Sequence, residues 1–186
     1  MKSNIISLIL SLFFFFPTSQ LIASDLAWSL AQEGNKIILI RHSLAPGGGD
    51  PAGFKIDDCN TQRNLSKKGI NQSKKIGKLF KKNKVPIDKV LSSQWCRCKD
   101  TAKYAFGGYK EFTALNSTFQ SPYDKNEGKQ LNELYDYVNK WDGKGKNLVL
   151  VTHYSIITAV TNAVPSSGEI VITNKDFDIL GSIQTD

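Results

Sequence analysis

The sequence predicts an α/β fold: a three-layer sandwich in which a mainly parallel sheet is flanked by helices. Residues 36–41 and 147–152 are short runs of Ile, Leu and Val without alternation, the pattern of strands buried on both faces. Strand-like runs alternate with segments of helical periodicity along the chain, as they do where crossover helices connect parallel strands. Glycines and prolines punctuate the joins, at Gly34, Gly47-Gly48-Gly49, Pro51, Pro86 and Gly107-Gly108.

Residues 1–24 read as a secretory signal peptide. Lys2 supplies the positive end, residues 4–16 are mostly apolar, Pro17 interrupts them, and the small residues Ala23 and Ser24 follow. An uncleaved amino-terminal anchor is the alternative, although the apolar stretch is short for a membrane span. No cysteine directly follows the expected cleavage site, which argues against a lipid-modified terminus. The mature chain, residues 25–186, is then one periplasmic or secreted domain with no stable membrane insertion. Loss of Lys2 with the leader takes the net charge from +7 to +6.

In order, the mature chain predicts a helix over 26–32, a strand over 36–41 and a loop rich in glycine and proline. Ser66 then caps a basic helix ended by Val85-Pro86. Ile70, Ile76, Leu79 and Phe80 recur at helical spacing there, and lysines 67, 68, 74, 75, 78, 81, 82 and 84 lie among them. This reads first as the solvated face of an amphipathic helix; the functional alternative is a basic surface that attracts anionic substrates or envelope surfaces. Nucleic acid is not an expected partner, because no binding motif or aromatic platform accompanies the lysines. A strand over 89–92, a helix over 94–106 and a third strand over 111–115 follow. Residues 116–126 form a polar loop or mobile lid. Leu131, Leu134, Tyr135 and Val138 stripe the next helix, and the strand 147–152, a helix over 155–162 and closing strands over 168–173 and 177–183 complete the domain. Trp28, Trp95 and Trp141 read as packing residues.

Cys59, Cys96 and Cys98 suit an oxidising compartment. On a helix Cys96 and Cys98 point about 200° apart, so they do not readily bridge each other, and either can pair with Cys59. Cys98 shares a helical face with Ala102 and Ala105, which marks it as a core residue and favours Cys59–Cys96. The cysteine spacing matches no common zinc pattern, and neither a metal nor another cofactor is expected.

Two histidines occur, each closing an apolar run: Arg41-His42 and Thr152-His153. In open α/β sheets the carboxyl ends of strands are where ligands bind. Arg41-His42-Ser43 resembles the arginine–histidine–glycine signature of the histidine phosphatase superfamily, the phosphoglycerate mutase-like proteins, with Ser43 in the place of glycine. Asn64-Leu65-Ser66 with Gly69 and Gln72, then Leu91-Ser92-Ser93 with Arg97, Thr101 and Ala102, and finally Val151-Thr152-His153 resemble that family's further motifs in the expected order.

The resemblance implies a phosphohydrolase in which neutral His42 attacks phosphorus and a phosphohistidine forms. His153 donates to the phosphoryl oxygens, and Arg41 and Arg97 hold them through planar forks. Arg63 is a further substrate-binding candidate. The glycines at 47–49 read as loop flexibility, since no strand–glycine–helix–lysine pattern surrounds them. The general acid is open: Ser117 stands where the mutase-like branch has glutamate, and Tyr154 where the acid phosphatase branch has aspartate. Asp124 is the first choice among Asp50, Asp57, Asp58, Asp124 and Glu127. The expected substrate is a phosphorylated small molecule, an envelope component or a phosphorylated protein histidine. A mutase fits export less well, a catalytically weak phosphate-ester binding protein is the competing reading, and a structural envelope protein ranks last.

Overall fold

The computed structural model describes residues 18–185, with side chains from Ser24 onward. The expected signal peptide therefore lies largely outside the described residues. Helix α1, Thr18–Glu33, starts earlier than the expected 26–32 and crosses the expected cleavage boundary. No proline or glycine stands between Pro17 and Gly34, so nothing in that stretch breaks the helix. Gly34 ends it at φ +75°, and a Cβ there would meet the Gly145 carbonyl oxygen at 1.9 Å.

The remaining elements are β1 (Ile37–Arg41), α2 (Lys67–Lys82), β2 (Ile87–Ser92), α3 (Cys96–Phe106), β3 (Lys110–Glu111), α4 (Glu127–Lys140), β4 (Asn147–Thr152), α5 (Tyr154–Thr161), β5 (Ile170–Thr173) and β6 (Ile179–Ile183). They form one mixed sheet in the order β3-β2-β4-β1-β5-β6. The β3-β2-β4-β1 portion is parallel; β5 pairs antiparallel with β1, and β6 antiparallel with β5 at the edge.

The third strand is shorter than expected. Pairing stops at Glu111, and residues 113–115 form a 3-10 turn instead of continuing the strand. The turn buries Ala114 and Leu115, which pack with Leu134 and Val138 of α4, and the Leu115 carbonyl accepts a 2.6 Å hydrogen bond from Thr152 Oγ1. Burial of two apolar side chains outweighs further edge pairing.

Strand residues divide between two cores. Ile38, Ile40, Val149, Val151 and Ile172 join Trp28 of α1, Ile76 and Phe80 of α2, and Cys98 and Ala102 of α3. Ile37, Leu39, Leu148, Leu150 and Val171 join Leu134 and Val138 of α4 and Ile156 and Ile157 of α5. The unbroken apolar runs of β1 and β4 follow from this use of both faces. Helix α2 carries its lysines on the exposed side and is capped as expected, with Ser66 Oγ accepting from Gly69 N–H at 3.1 Å. A Cβ on Gly69 would meet the Leu44 carbonyl oxygen at 2.1 Å, so glycine there lets the helix start against the chain leaving β1.

Candidate active site

Parallel pairing of β1 with β4 sets Arg41 opposite Thr152. The residues that follow, His42 and His153, leave the sheet side by side, with ring centroids 5.4 Å apart. The backbone N–H of His42 still bonds to the Thr152 carbonyl at 2.9 Å, which ties the first histidine to the second strand.

His42 Nδ1 lies 2.8 Å from the Ser43 carbonyl oxygen. A carbonyl only accepts, so Nδ1 carries the proton and Nε2 keeps its lone pair. Ser43, in the place of glycine, is fully buried and paired: its N–H donates to Thr101 Oγ1 at 2.9 Å, and its Oγ accepts from Ser73 Oγ at 2.8 Å. Thr101 donates to the Arg97 carbonyl at 2.7 Å, so β1 and α3 are linked through these hydroxyls. Burial, reinforced by the Arg97 charge, holds His42 well below the ordinary imidazole range, and the imidazole is neutral at neutral pH.

His153 has the opposite arrangement. Its Nε2 lies 2.9 Å from Ser93 Oγ, and its Nδ1 lies 3.5 Å from Arg97 Nη2. Asn116 Oδ1 already accepts the Gln94 backbone N–H at 2.9 Å and stands farther from Ser93 Oγ, at 3.2 Å. Ser93 Oγ thus anchors the ring at Nε2, and Nδ1 is the nitrogen that faces Arg97, whose guanidinium only donates. Burial, Arg97 and then His42 hold His153 well below its ordinary range as well. The Cys98 thiol, 3.4 Å from the same Nε2, is pushed up to about 12 by burial and stays protonated.

Three guanidinium groups surround the histidines. Arg41 donates from Nη1 to the Pro165 carbonyl at 2.8 Å, and its guanidinium carbon lies 5.3 Å from the centroid of the Tyr154 ring. Arg63 donates from Nε to the Gly49 carbonyl at 2.7 Å and from Nη1 to the Ala45 carbonyl, bracing the glycine loop. Arg97 is buried and donates from Nη1 to both carboxylate oxygens of Asp50, at 2.8 and 3.0 Å. Asp50 also accepts from Arg63 N–H at 3.0 Å and Trp95 Nε1 at 2.9 Å. Burial pushes its carboxyl up, but the bonds and charge of Arg97, with those two N–H groups, outweigh burial and hold it below the usual carboxylate range. The Nε atoms of Arg41 and Arg97 are buried and have no hydrogen-bond partner among the described residues.

These groups converge on a pocket of about 80 Å³ lined by both histidines, Arg41, Arg63, Arg97, the glycines at 47–49, Ser117, Phe119 and Tyr154. It is far smaller than the several hundred Å³ of a drug-sized site and suits a small anion. A larger cavity of about 620 Å³, between α2 and Ser167 and Thr185, contains neither histidine nor arginine in its lining.

The structure thus brings together His42, His153, Arg41, Arg97 and Arg63. Asp124 stands apart: it is exposed on a 3-10 turn, Tyr123–Asn126, and does not line the pocket. Glycines 47–49, expected only to loosen the loop, form part of the pocket wall. Asp50, expected only as a possible acid, is an acceptor held by Arg97. The expected lid is anchored where it begins: the Asn116 side chain bonds to Gln94, Thr118 N–H donates to Ser155 Oγ, and Thr118 Oγ1 donates to Glu127. The disulfide is Cys59–Cys96, with Cys98 free and buried as expected.

No family model matches the sequence, and no curated protein matches it. Solved structures do match. The protein histidine phosphatase SixA, determined with tungstate, aligns with 81% of this chain and 96% of its own at 14% identity and a TM-score of 0.52. A phosphoglycerate mutase from Thermus thermophilus aligns with 81% of this chain and 99% of its own at 15% identity and a TM-score of 0.56. The fold is that of the histidine phosphatases. The SixA protein of Agrobacterium tumefaciens has it too, at 16% identity and a TM-score of 0.54, over 81% of this chain and 98% of that one.

Proposed function

We propose that this chain is an exported phosphohydrolase of the histidine phosphatase type, built as a three-layer sandwich. It cleaves a phosphomonoester or a phosphorylated histidine through a phosphohistidine at His42. The observation that carries this reading is the state of His42: with Nδ1–H spent on the Ser43 carbonyl, the Nε2 lone pair is left for an electrophile in a pocket of guanidinium groups. Arg41, Arg63 and Arg97 outnumber Asp50, the carboxylate paired with Arg97, so the pocket favours an anion of charge near −2.

In the first step Nε2 of His42 forms a bond to phosphorus, and the bond from phosphorus to the leaving atom breaks with its electron pair. Arg41 and Arg97 hold the equatorial oxygens, where charge accumulates, and His153 donates a hydrogen bond to them. In the second step water attacks phosphorus, the P–N bond breaks, and inorganic phosphate leaves with His42 restored. Export follows from the amino-terminal pattern and is supported by the disulfide, which suits an oxidising compartment.

One observation favours the competing reading of a weakly catalytic phosphate-ester binding protein: no residue lining the pocket carries a carboxyl group. The two readings separate in one experiment on the purified domain with its disulfide intact. Turnover of phenyl phosphate, with an acid-labile phosphoenzyme that disappears in His42→Ala, is the expected result. Calorimetric binding of phosphate without turnover would establish the binding protein instead. Label trapped on another residue would overturn the role of His42.

A further inference from the structure

Phe119 is a large apolar side chain left 52% exposed at the rim of the charged pocket. Its ring meets Tyr154 edge to face, with centroids 5.5 Å apart, and Tyr154 in turn lies beside the Arg41 guanidinium. Apart from the two histidines, Phe119 and Tyr154 supply the pocket's aromatic lining; the other lining residues are arginines, glycines and a serine. Phe119 is held in place. Its N–H donates to Ser117 Oγ at 3.3 Å, and the neighbouring Gln120 accepts the Asp50 N–H at 2.7 Å. Glycine backbone forms the adjoining wall. A Cβ at Gly49 would touch Phe119 Cε1 at 3.8 Å, and a Cβ at Gly48 would meet nothing within 4 Å. An exposed ring next to side-chain-free backbone, at the mouth of a phosphate-sized pocket, suits a flat group on the departing side of phosphorus.

We propose that the substrate carries its phosphoryl group on a planar aromatic ring, either a phenol or an imidazole, and that Phe119 recognises this ring. The proposal rests on reading the pocket as a phosphoryl site. It also agrees with a pocket lined by no carboxyl group, because phenolate and imidazole depart with less help from a proton donor than an alkoxide does.

The test is calorimetric binding of three unreactive probes to the disulfide-intact protein: inorganic phosphate, methylphosphonate and phenylphosphonate. Phenylphosphonate is expected to bind roughly five- to tenfold more tightly than methylphosphonate, the scale of one aromatic contact. Phe119→Ala should collapse that ratio to near one, and Phe119→Tyr should keep it. Since the ring is half in solvent, its loss leaves the core untouched. Equal affinity for the two phosphonates, or a ratio unchanged in Phe119→Ala, overturns the proposal while the phosphoryl site stands. Failure of all three anions to bind overturns the phosphoryl site itself. In turnover, phenyl phosphate and phosphoimidazole should each exceed glycerol phosphate, and the faster of the two assigns the ring; glycerol phosphate cleaved as fast as both overturns ring recognition.

Discussion

Both carboxylate oxygens of Asp50 lie within 3.0 Å of a single nitrogen, Nη1 of Arg97, and both side chains are almost fully buried. The other end of the guanidinium, Nη2, approaches Nδ1 of His153. Asp50 thus anchors one edge of Arg97 and leaves the other turned toward the histidines. With hydrogen bonds reaching it from Arg97, Arg63 and Trp95, the carboxylate is an acceptor and cannot be the missing acid.

Replacing Asp50 by alanine should therefore cost stability and rate together. Removing one partner of a buried ion pair leaves the other uncompensated, a loss of about 3 kcal/mol readable from the urea midpoint. The misaimed guanidinium should lower kcat by about 100-fold. Phosphate affinity should not fall in parallel, because the pocket gains net positive charge. A variant with full kcat and only a lowered urea midpoint would reduce Asp50 to scaffolding.

Ser93→Ala isolates the anchoring of the His153 ring. Without the hydroxyl, Nε2 loses its 2.9 Å partner and keeps only the Cys98 thiol at 3.4 Å, so the ring is less firmly oriented toward the phosphoryl group. A kcat lowered by about tenfold, against 100-fold or more for His153→Ala, is expected. Equal losses in the two variants would contradict this ordering.

The two histidines also set the response to pH. Both are held well below their ordinary range, so the native state stays unprotonated while the unfolded chain takes up protons near pH 6.5. The unfolded state then binds more protons, and stability must fall as pH drops below that value. The melting temperature should be flat above about pH 7 and decline toward about pH 5. Proton NMR should show both imidazole signals still in the neutral form at about pH 6.5, and a signal half-titrated there would contradict the buried arrangement.

Much of this site is legible in the sequence alone. His42 and His153 each close an apolar run, and strand ends at one sheet edge are where residues converge, so spacing places them together. Arg41 comes with them as the last residue of β1, and Arg97 because it opens the helix that follows β2, the strand next to β4. Asp50 escapes because its role depends on Trp95 and Arg97, more than forty residues away, with no local pattern to announce it. The glycines at 47–49 escape for a similar reason: their place in the pocket wall depends on Arg63 bonding back to Gly49 and Ala45. The expected strand over 111–115 fails at its end, where burial against α4 takes over from β propensity.

The disulfide joins the loop carrying Asp50 and Arg63 to the first residue of α3, directly before Arg97. It closes a separation of 37 residues, which by chain entropy corresponds to about 4 kcal/mol. Cys59→Ser with Cys96→Ser should lower stability on that scale and also raise KM, since the loop and helix that assemble the anion site are no longer tied. The same double variant should respond no further to dithiothreitol, whereas the unmodified protein should lose activity under reduction. Full activity in the reduced protein would show that packing alone holds the site.

The identity of the proton donor decides which substrates are cleaved. Asp124, the carboxylate favoured by sequence, is exposed on its turn and does not line the pocket, and Ser117 and Tyr154 supply no carboxyl group there. Without a carboxylic acid the departing atom must carry its own charge, so rates should depend steeply on leaving-group pKa. Across a series of substituted phenyl phosphates, kcat/KM should rise by several-fold for each unit by which the phenol becomes more acidic, and alkyl phosphates should be the slowest. Asp124→Asn should change neither aryl nor alkyl turnover by more than about twofold, the size of an ordinary surface change. A selective loss on alkyl phosphates in that variant would restore Asp124 as the donor and require its turn to close over the pocket during turnover.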